Sequence, residues 1–589
     1  MNYTKIIQGA VLLGAALLLT ACGGGGGDSQ AKPQSVSYPS GDADARRFLT
    51  QATFGPTDAA VAEVKAQGYE PWIDAQLQAT GTQGHREYWD ARQAALKAAG
   101  SGAGQQEISH GFWAHALTAP DQLRQRVAFA LSEIFVISMV NDCVNGSPQA
   151  VAAYMDTLAD NAFGSFRQLL TKVSKHPMMG CYLSHLRNQR ENASTGRVPD
   201  ENYAREVMQL FTIGLYQLNA DGTQVLGADG KPLETYTADD VAGLAKVFTG
   251  FSFDCPDFPD NSCFFAGVAN NNSYADRNYR DMVGYGQYHS QSEKRFLGRV
   301  LAASQPANPE ADFSAAMDLL AVSHPNVGPF IGKQLIQRLV TSNPSPAYVG
   351  RVTAAFERSG RNLGAMVKAI LTDPEARDMG AALTSDSFGK VREPLLRLSA
   401  FLRATDARTD SGFWQVEPTD DANSLAQSVF RSPSVFNFFR PGYMYPGGFA
   451  TQRGLVAPEL QIASEGTAGS YVNVMMEVAR GGAGRTQNNN PGKVYRRDVQ
   501  PAYNLDTTND WYLMASTKAR TDELIERVNQ KLMYGCLSEA LRSEMKATLD
   551  ALPLTEKTDK TAPTEAQIRT RLQAAWLMAL VSPEFLVQK

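Results

Sequence analysis

The sequence lacks the local signatures of the common hydrolase and nucleotide sites. It contains no Gly-x-Ser-x-Gly turn, no P-loop, no His-Glu-x-x-His and no dinucleotide-binding glycine pattern. None of its six cysteines forms a Cys-x-x-Cys pair or a Cys/His spacing typical of zinc sites. These absences weigh against nucleotide chemistry and against the standard serine and zinc hydrolases.

The chain also has little excess charge and few long apolar runs. Lys and Arg number 55 against 60 Asp and Glu, a net charge of −5, with both signs interspersed. Because no broad basic field results, nucleic-acid binding is disfavoured. Beyond the N-terminal segment no apolar run approaches the length of a membrane span, which predicts a soluble body. At this length we expect either two packed lobes (about 45–380 and 381–589) or one large helical array.

The first 22 residues have the pattern of a lipoprotein export signal. One cation, Lys5, precedes an apolar run at 11–19, and the sequence LTAC closes it at Cys22. This closing sequence resembles the bacterial lipobox, in which the cysteine is acylated and the peptide is cut before it. The alternatives are a membrane helix, for which the run is too short, and a soluble signal peptide, which needs no such cysteine. We therefore predict a signal peptide over 1–21 and a lipid anchor at Cys22.

Residues 22–44 predict a flexible tether, because five glycines (23–27) are followed by a Ser/Gln/Pro-rich stretch with almost nothing apolar to bury. Gly23 carries no aspartate-type cue for retention in the inner membrane. We therefore expect the protein in the cell envelope, anchored in the outer membrane and facing the periplasm or the cell surface.

Helical periodicity dominates residues 45–589. Apolar residues repeat at helical spacing over 123–138 and 203–214, and Thr237 to Asp240 reads as a capping box. Strand signals are confined to a small hairpin or ordered loop near 221–230, and residues 252–288 and 480–510 predict long ordered loops. The predicted fold class is mainly α: a multi-helix array with long ordered loops and at most a small β-hairpin.

The cysteines predict at least one disulfide. In an oxidising envelope, Cys255 and Cys263 bracket a Pro/Asp-rich loop short enough to be closed by a bridge. Cys143 and Cys181 are candidates for a second bridge, which would leave Cys536 as the odd thiol.

Several separated blocks recur together in one known family. They are RRFLTQATFGP (46–56), NYARE (202–206) with FTIG (211–214), YT (236–237) with DV (240–241) and FTG (248–250), His289 with Lys294 and LG (297–298), His324-Pro325 before Lys333, and LVSPEF (580–585). From about residue 45 to its end, the chain resembles the bacterial family catalogued as domain of unknown function 1800.

The resemblance implies an exported, mainly helical protein of uncharacterised biochemistry. Genes of this family often neighbour those of exported proteins similar to sulfatases and alkaline phosphatases, which implies such a protein as a partner. Many relatives carry a histidine where this chain has Phe211. A metal or proton-transfer role assigned to that histidine is therefore excluded here.

One block carries candidate chemistry on a single helix. Asn202 and Glu206 lie one turn apart, with Arg205 beside them. A buried Glu206 next to a cation is suited to be a general base or a carboxylate ligand. The alternative is a hydrogen-bond network of these three residues that ties helices together.

Three further residues complete the candidate site. His289, Asp240 and His324 join Glu206 in a metal or acid–base site only if the fold brings four distant segments together. Helix capping and packing are the alternative, above all for His324, which precedes a proline. The sequence leaves the metal and any other cofactor unknown.

Three other segments admit a ligand, although packing explains each of them as well. They are the soft donors His176, Met178, Met179, Cys181 and His185 (copper or haem), the acids Asp254, Asp257 and Asp260 (calcium), and the aromatic stretch 430–445 (a ligand groove or a core plug). From the sequence we predict a lipid-anchored envelope protein that acts as a scaffold or handling factor for an exported partner or polymer. The alternative is an envelope enzyme, with a metal as an option, centred on Glu206 and His289.

Overall fold

A computed structural model describes residues 36–486, 497–504, 506–558 and 560–589. The predicted signal peptide, Cys22 and most of the tether lie outside these residues. Ser37–Lys589 form one compact unit, while the division into lobes near residue 380 stays a prediction. In the described part of the chain no helix has both the length and the apolarity needed to cross a bilayer.

Helices make up 52% of the structure and confirm the mainly α fold class. The first fourteen are α1 (Asp42–Ala52), α2 (Asp58–Gln67), α3 (Tyr69–Gln78), α4 (His85–Ala98), α5 (Gln106–Thr118), α6 (Gln122–Ser132), α7 (Asp142–Asn145), α8 (Pro148–Asp160), α9 (Phe166–Lys175), α10 (Pro177–Tyr182), α11 (Asn202–Gln209), α12 (Ala238–Val247), α13 (Asn261–Ala266) and α14 (Pro309–Asp318). The remaining ones are α15 (Val327–Leu339), α16 (Pro346–Arg358), α17 (Leu363–Thr372), α18 (Pro374–Arg377), α19 (Met379–Thr384), α20 (Pro394–Ala404), α21 (Phe449–Gln452), α22 (Glu465–Gly481), α23 (Asp510–Ala515), α24 (Thr521–Met533), α25 (Glu539–Ala551), α26 (Glu565–Leu580) and α27 (Pro583–Leu586).

Strands are short and form small antiparallel sheets at the edges of the helical body. They are β1 (Phe251–Ser252) with β2 (Val283–Gly284), β3 (Lys294–Phe296) with β4 (Arg299–Leu301), β5 (Lys390–Val391) with β9 (Val587–Gln588), and a three-stranded sheet of β6 (Arg408–Thr409), β8 (Arg497–Gln500) and β7 (Ala483–Thr486), with β8 in the centre. The expected hairpin near 221–230 is an ordered arm held by isolated bridges such as Tyr216 to Glu234.

Local capping explains why many helices begin where the sequence predicts. Thr237 and Asp240 form a reciprocal capping box at α12, and Ser464 with Thr467 forms another at α22. Helix α20 begins with Pro394 at its first position, where the missing N–H costs nothing.

Helix α6 is shorter than its periodicity predicts, ending at Ser132 rather than near residue 138. Beyond it, the Met139 amide donates to the Phe430 carbonyl and the Ser138 hydroxyl to the Ser432 carbonyl. Bonds to the segment around Phe430 therefore take the place of helical bonds, while the side chains at 134–137 stay buried.

Buried apolar side chains form one large cluster that extends from Ala45 on α1 to Phe585 on α27. A small second cluster surrounds the Cys255–Cys263 disulfide and includes Phe264 and Tyr285. The Cys143–Cys181 disulfide joins α7 to α10, and Cys536 is a free thiol. Both predicted bridges are thus confirmed.

Candidate functional site

Glu206 lies on α11 and is buried without a full set of partners. The residue is 7% exposed, and its Oε2 atom accepts no hydrogen bond from any residue that the structure describes. Burial raises the pKa of Glu206, and the neighbouring Arg205 offsets only part of this effect. Burial, with the Glu206 carboxylate nearby, also raises the pKa of the Tyr182 hydroxyl to about 12. The carboxyl group therefore has the environment expected of a proton-transfer group.

Asn202 and Arg205, the other predicted residues of this helix, make their hydrogen bonds and ion pair with residues other than Glu206. The Asn202 side chain approaches the Ser184 hydroxyl at 3.5 Å, and its backbone amide donates to Asp200. Arg205 forms an exposed ion pair with Glu201 at 3.2 Å. The predicted Asn/Arg/Glu network within α11 is therefore replaced by contacts to residues that precede the helix.

A polar concavity of about 470 Å³ opens beside the start of α11, a volume in the range of ligand sites. We call it the 184–200 groove; it is lined by Ser184, Leu186, Arg187, Asn188, Gln189, Arg197, Val198, Pro199 and Asp200. Ser184 and Arg187 adopt left-handed backbone angles, with φ of +60° and +66°. Such conformations cost energy in non-glycine residues and cluster at binding sites.

Paired hydrogen bonds hold the groove in shape. The Asn188 side chain donates to the Asp200 carbonyl at 3.0 Å and accepts from the Asp200 amide at 2.9 Å. Behind the groove, the Gly250 amide donates to the Asn188 carbonyl and the Arg190 amide to the Tyr288 carbonyl. Backbone and side-chain bonds thus hold residues 188–190 to Asp200 on one side and to Gly250 and Tyr288 on the other.

His289 follows Tyr288 in the chain and is fully buried. Its Nδ1 atom lies 2.7 Å from the Thr249 carbonyl, and its Nε2 atom lies 3.0 Å from Asp312. Lys294 approaches the same carboxylate at 2.9 Å. Burial acts to raise the pKa of Asp312, but the bonds from His289 and Lys294 outweigh it and lower that pKa.

Asp240 and His324 occupy structural positions elsewhere. Asp240 caps α12 through Thr237 and accepts from the Leu297 amide at 2.6 Å. The His324 ring accepts from the Asn326 amide ahead of α15, and burial, with Arg361 nearby, lowers its pKa to about 4. The structure thus brings Asn202 into contact with Ser184 and Asp200, which line the groove, whereas His289 is buried beside Thr249 and Asp312.

The predicted residues do not form one metal centre in the structure as described. Across residues 36–486, 497–504, 506–558 and 560–589, no group of three or more His, Cys, Asp or Glu side chains is arranged to hold a metal ion. Within the same residues, Glu206 and His289 share no hydrogen bond or ion pair.

The soft donors have structural partners. His176 accepts from the Met178 amide at the start of α10, and His185 contacts the Ser174 carbonyl at 2.8 Å and stacks on Tyr203. Cys181 is oxidised in its disulfide. Burial lowers the pKa of His176 to about 3 and that of His185 to about 4, so both rings are neutral near pH 7.

No pattern in the sequence indicates a cluster of six buried charged residues that lies between α6, α15 and α20. They are Arg126, Glu133, Arg338, Lys390, Glu393 and Glu459. Lys390 lies 3.1 Å from Glu459 and 3.4 Å from Glu393, and Arg338 lies 3.5 Å from Glu133. We call this set the central ion cluster; three acids face three cations.

Within the central ion cluster the two neighbouring acids titrate in opposite directions. Burial raises the pKa of Glu133, whereas Lys390 and the two arginines outweigh burial and lower the pKa of Glu393. Gln427 bridges the pair, donating to both carboxyl groups at 3.4 and 3.0 Å.

The segment 426–437 lies against the central ion cluster. It includes the start of the aromatic stretch 430–445, for which the sequence leaves open a ligand groove or a core plug. Phe430 is buried in the core, and Asn437 donates to Glu133 at 3.2 Å. Ala426, Phe430 and Asn437 all have left-handed backbone angles. A cavity of about 10 Å³ beside Glu133 has room for about one water molecule. This end of the stretch is a core plug.

The comparisons with known proteins identify one family. No curated protein and no solved structure matches the chain. A sequence profile described as "Protein of unknown function (DUF1800)" matches residues 47–587, which is more than nine-tenths of the 589-residue chain. The chain therefore belongs to the DUF1800 family of proteins of unknown function.

Proposed function

We propose that this chain is an exported protein, anchored in the outer membrane through a lipid on Cys22, that binds an exported partner or polymer in the 184–200 groove. The lipobox sequence at 19–22 supports the anchor. The two disulfides support an oxidising compartment. Both features fit a helical body that works outside the cytoplasm.

The observation that carries the binding role is the form of the groove. Charged, amide and hydroxyl side chains line the groove together with Val198, which is 76% exposed. Paired hydrogen bonds between Asn188 and Asp200 hold the groove in shape, so the polar surface is organised before any ligand arrives. A preorganised polar groove suits a saccharide or peptide chain with many hydrogen-bonding groups. Exported proteins similar to sulfatases or phosphatases are the partner class that the family resemblance implies.

The anchor is tested by Cys22→Ala in the full chain, expressed in its native host. We expect wild-type protein in the membrane fraction, labelled by a fatty-acid analogue, and the variant unlabelled and released from the membrane. A variant that stays in the membrane fraction would contradict the anchor.

The groove is tested by a photo-crosslinking amino acid placed at Val198 in cells. Val300 on β4, which is 49% exposed and does not line the groove, is the matched control. We expect a higher-mass adduct from position 198 alone, with an envelope polypeptide or saccharide identified in it by mass spectrometry. Equal adducts from both positions, or a cytoplasmic protein at 198, would refute the proposal.

A second candidate function is an envelope enzyme with Glu206 as base. The unpartnered Oε2 atom of Glu206 and its raised pKa favour this alternative. Elemental analysis of the purified full chain is the test: a stoichiometric metal that is lost in Glu206→Ala and in His289→Ala would favour catalysis. A metal-free protein with the position 198 adduct would favour binding alone.

A further inference from the structure

Two arginines that line the 184–200 groove, Arg187 and Arg197, form no ion pair in the part of the chain that the structure describes. Both are exposed, and each donates to a backbone carbonyl, at 3.0 and 2.9 Å respectively. Because a guanidinium group has five N–H donors, most of them remain for a ligand. Among the lining residues that the structure describes, Asp200 is the one acid. The groove therefore favours an anion, although the whole chain has a net charge of −5.

An exposed aromatic ring lies next to the first of these arginines. Arg187 donates to the carbonyl of Phe265, a residue of α13 that is 46% exposed. The Phe265 ring packs edge to face against Phe264 and Tyr288, with ring centroids 5.1 and 5.4 Å away. The same helix contains Cys263, which is tied down by its disulfide. The ring is therefore held in place near Arg187 while much of its surface faces solvent.

The backbone next to the groove is already paired, which weighs against a peptide that binds as an added strand. Strand β1 pairs with β2, and its Phe251 carbonyl also accepts from the Arg187 amide at 2.9 Å. Just before β1, the Gly250 amide donates to the Asn188 carbonyl at 2.7 Å. Because strand addition needs an edge of unpaired backbone groups, we expect the ligand to be recognised by the side chains of the groove.

These side chains offer the three kinds of contact that an acidic saccharide can make. Sugar hydroxyls exchange hydrogen bonds with hydroxyl and amide groups such as those of Ser184 and Gln189. The C–H face of a sugar ring packs on an aromatic or aliphatic side chain, and Phe265 and Val198 expose such surfaces. A carboxylate or sulfate on the sugar matches the forked N–H donors of Arg187.

We infer that the 184–200 groove binds an anionic polysaccharide, with Arg187 and Arg197 contacting its carboxylate or sulfate groups and Phe265 stacking on a sugar ring. This inference rests on the binding role proposed for the groove and names the class of its ligand. An acidic polypeptide is the alternative ligand that the test has to distinguish.

The test is titration of the full chain in detergent with fluorescein-labelled probes, followed by anisotropy at physiological ionic strength. The anionic probes are decagalacturonate, which carries carboxylates, and a sulfated dextran oligomer. We expect at least one of them to bind at least tenfold more tightly than the unsulfated dextran oligomer and than a glutamate decapeptide. The tighter of the two anionic probes shows which acidic group the groove prefers.

Variants of the two arginines locate this binding in the groove. Arg187→Gln and Arg197→Gln should each weaken binding of the anionic probe at least fivefold. Arg187→Lys should recover only part of the loss, because an ammonium group cannot make the two-pronged contact of a guanidinium. Arg299→Gln, which changes an exposed arginine of β4 that is not among the lining residues, is the matched control and should bind as the wild type does.

Variants of the aromatic ring test the stacking contact. Phe265→Ala should weaken binding of the anionic probe at least threefold, and Phe265→Trp should preserve it. Phe258→Ala removes a ring of similar exposure, 44%, from the loop that the same disulfide closes, and is the matched control.

Two results separate failure of this inference from failure of the proposed function. Equal affinity for anionic and neutral oligosaccharides, tighter binding of the glutamate decapeptide, or unchanged binding by Arg187→Gln and Arg197→Gln would overturn the inference, while an adduct at position 198 would still support a binding groove. If no probe binds and position 198 gives no adduct, the inference and the proposed binding role both fail.

Discussion

Glu206 and Glu393 are both buried glutamates, yet their surroundings are opposite. Glu393 faces Lys390 and two arginines and accepts a hydrogen bond from Gln427, and its pKa is lowered. Glu206 has one oxygen without a partner and only Arg205 to offset burial, and its pKa is raised. A buried charge that is fully compensated is part of the framework. One that is left uncompensated destabilises the fold and is a candidate for function.

The largest expected effect is removal of the central cation of the ion cluster. Lys390→Met leaves Glu393 and Glu459 without their nearest positive charge, so we expect the free energy of unfolding to fall by about 3–5 kcal/mol. Urea denaturation at pH 7 measures it. Lys546→Met, which breaks an exposed pair with Asp522, is the matched control and should cost less than about 1 kcal/mol. Similar losses from both variants would remove the distinction between framework and surface charges.

The next effect concerns the buried residue His289. His289→Ala removes contacts to Thr249 and Asp312 and leaves a cavity in a fully buried position. We expect a loss of about 3 kcal/mol in the free energy of unfolding. Thermal and urea denaturation measure it, and a loss below about 1 kcal/mol would mean that His289 is not part of the framework.

A third way of burying a titratable group is to remove its charge, as at His176 and His185. Because their pKa values in the fold, about 3 and about 4, lie below the ordinary value of 6.5, the unfolded chain binds protons more readily. Their contribution to stability is complete above about pH 6.5 and is lost as the pH falls toward the folded values, by about 2 kcal/mol at pH 5 for His185.

His176→Asn, which keeps a side-chain acceptor for the Met178 amide, is the variant that isolates this effect. We expect its stability to fall less steeply than that of the wild type between pH 6.5 and 4. Parallel curves for the two proteins would show that the His176 ring does not control acid sensitivity.

The sequence predicts those parts of the fold that depend on interactions between residues close together in the chain. The Thr237 and Asp240 capping box lies where its spacing places it. Short-range signals such as caps, prolines and the spacing of Cys255 and Cys263 act within a few residues, so the sequence displays them directly.

The central ion cluster and the 184–200 groove form through contacts between distant segments, which no local sequence pattern indicates. Arg126, Arg338 and Lys390 come together only through tertiary packing, and each looks like an ordinary surface cation in the sequence. The same limit explains the candidate site: Asn202 contacts Ser184 and His289 contacts Thr249 and Asp312, whereas Asp240 and His324 cap helices α12 and α15. The end of α6 is likewise set by bonds to a segment almost 300 residues away.

The most direct test of the account is the stability of Glu206→Gln against the wild type between pH 4 and 8. Because the pKa of Glu206 is raised in the fold, the wild type loses stability as the pH rises from about 4.5 through the folded value. The neutral amide escapes this loss, so we predict a variant at least as stable as the wild type, with an advantage that grows with pH. A variant less stable at pH 7 by about 1–3 kcal/mol, the usual cost of breaking a buried hydrogen bond, would show that Glu206 belongs to the framework.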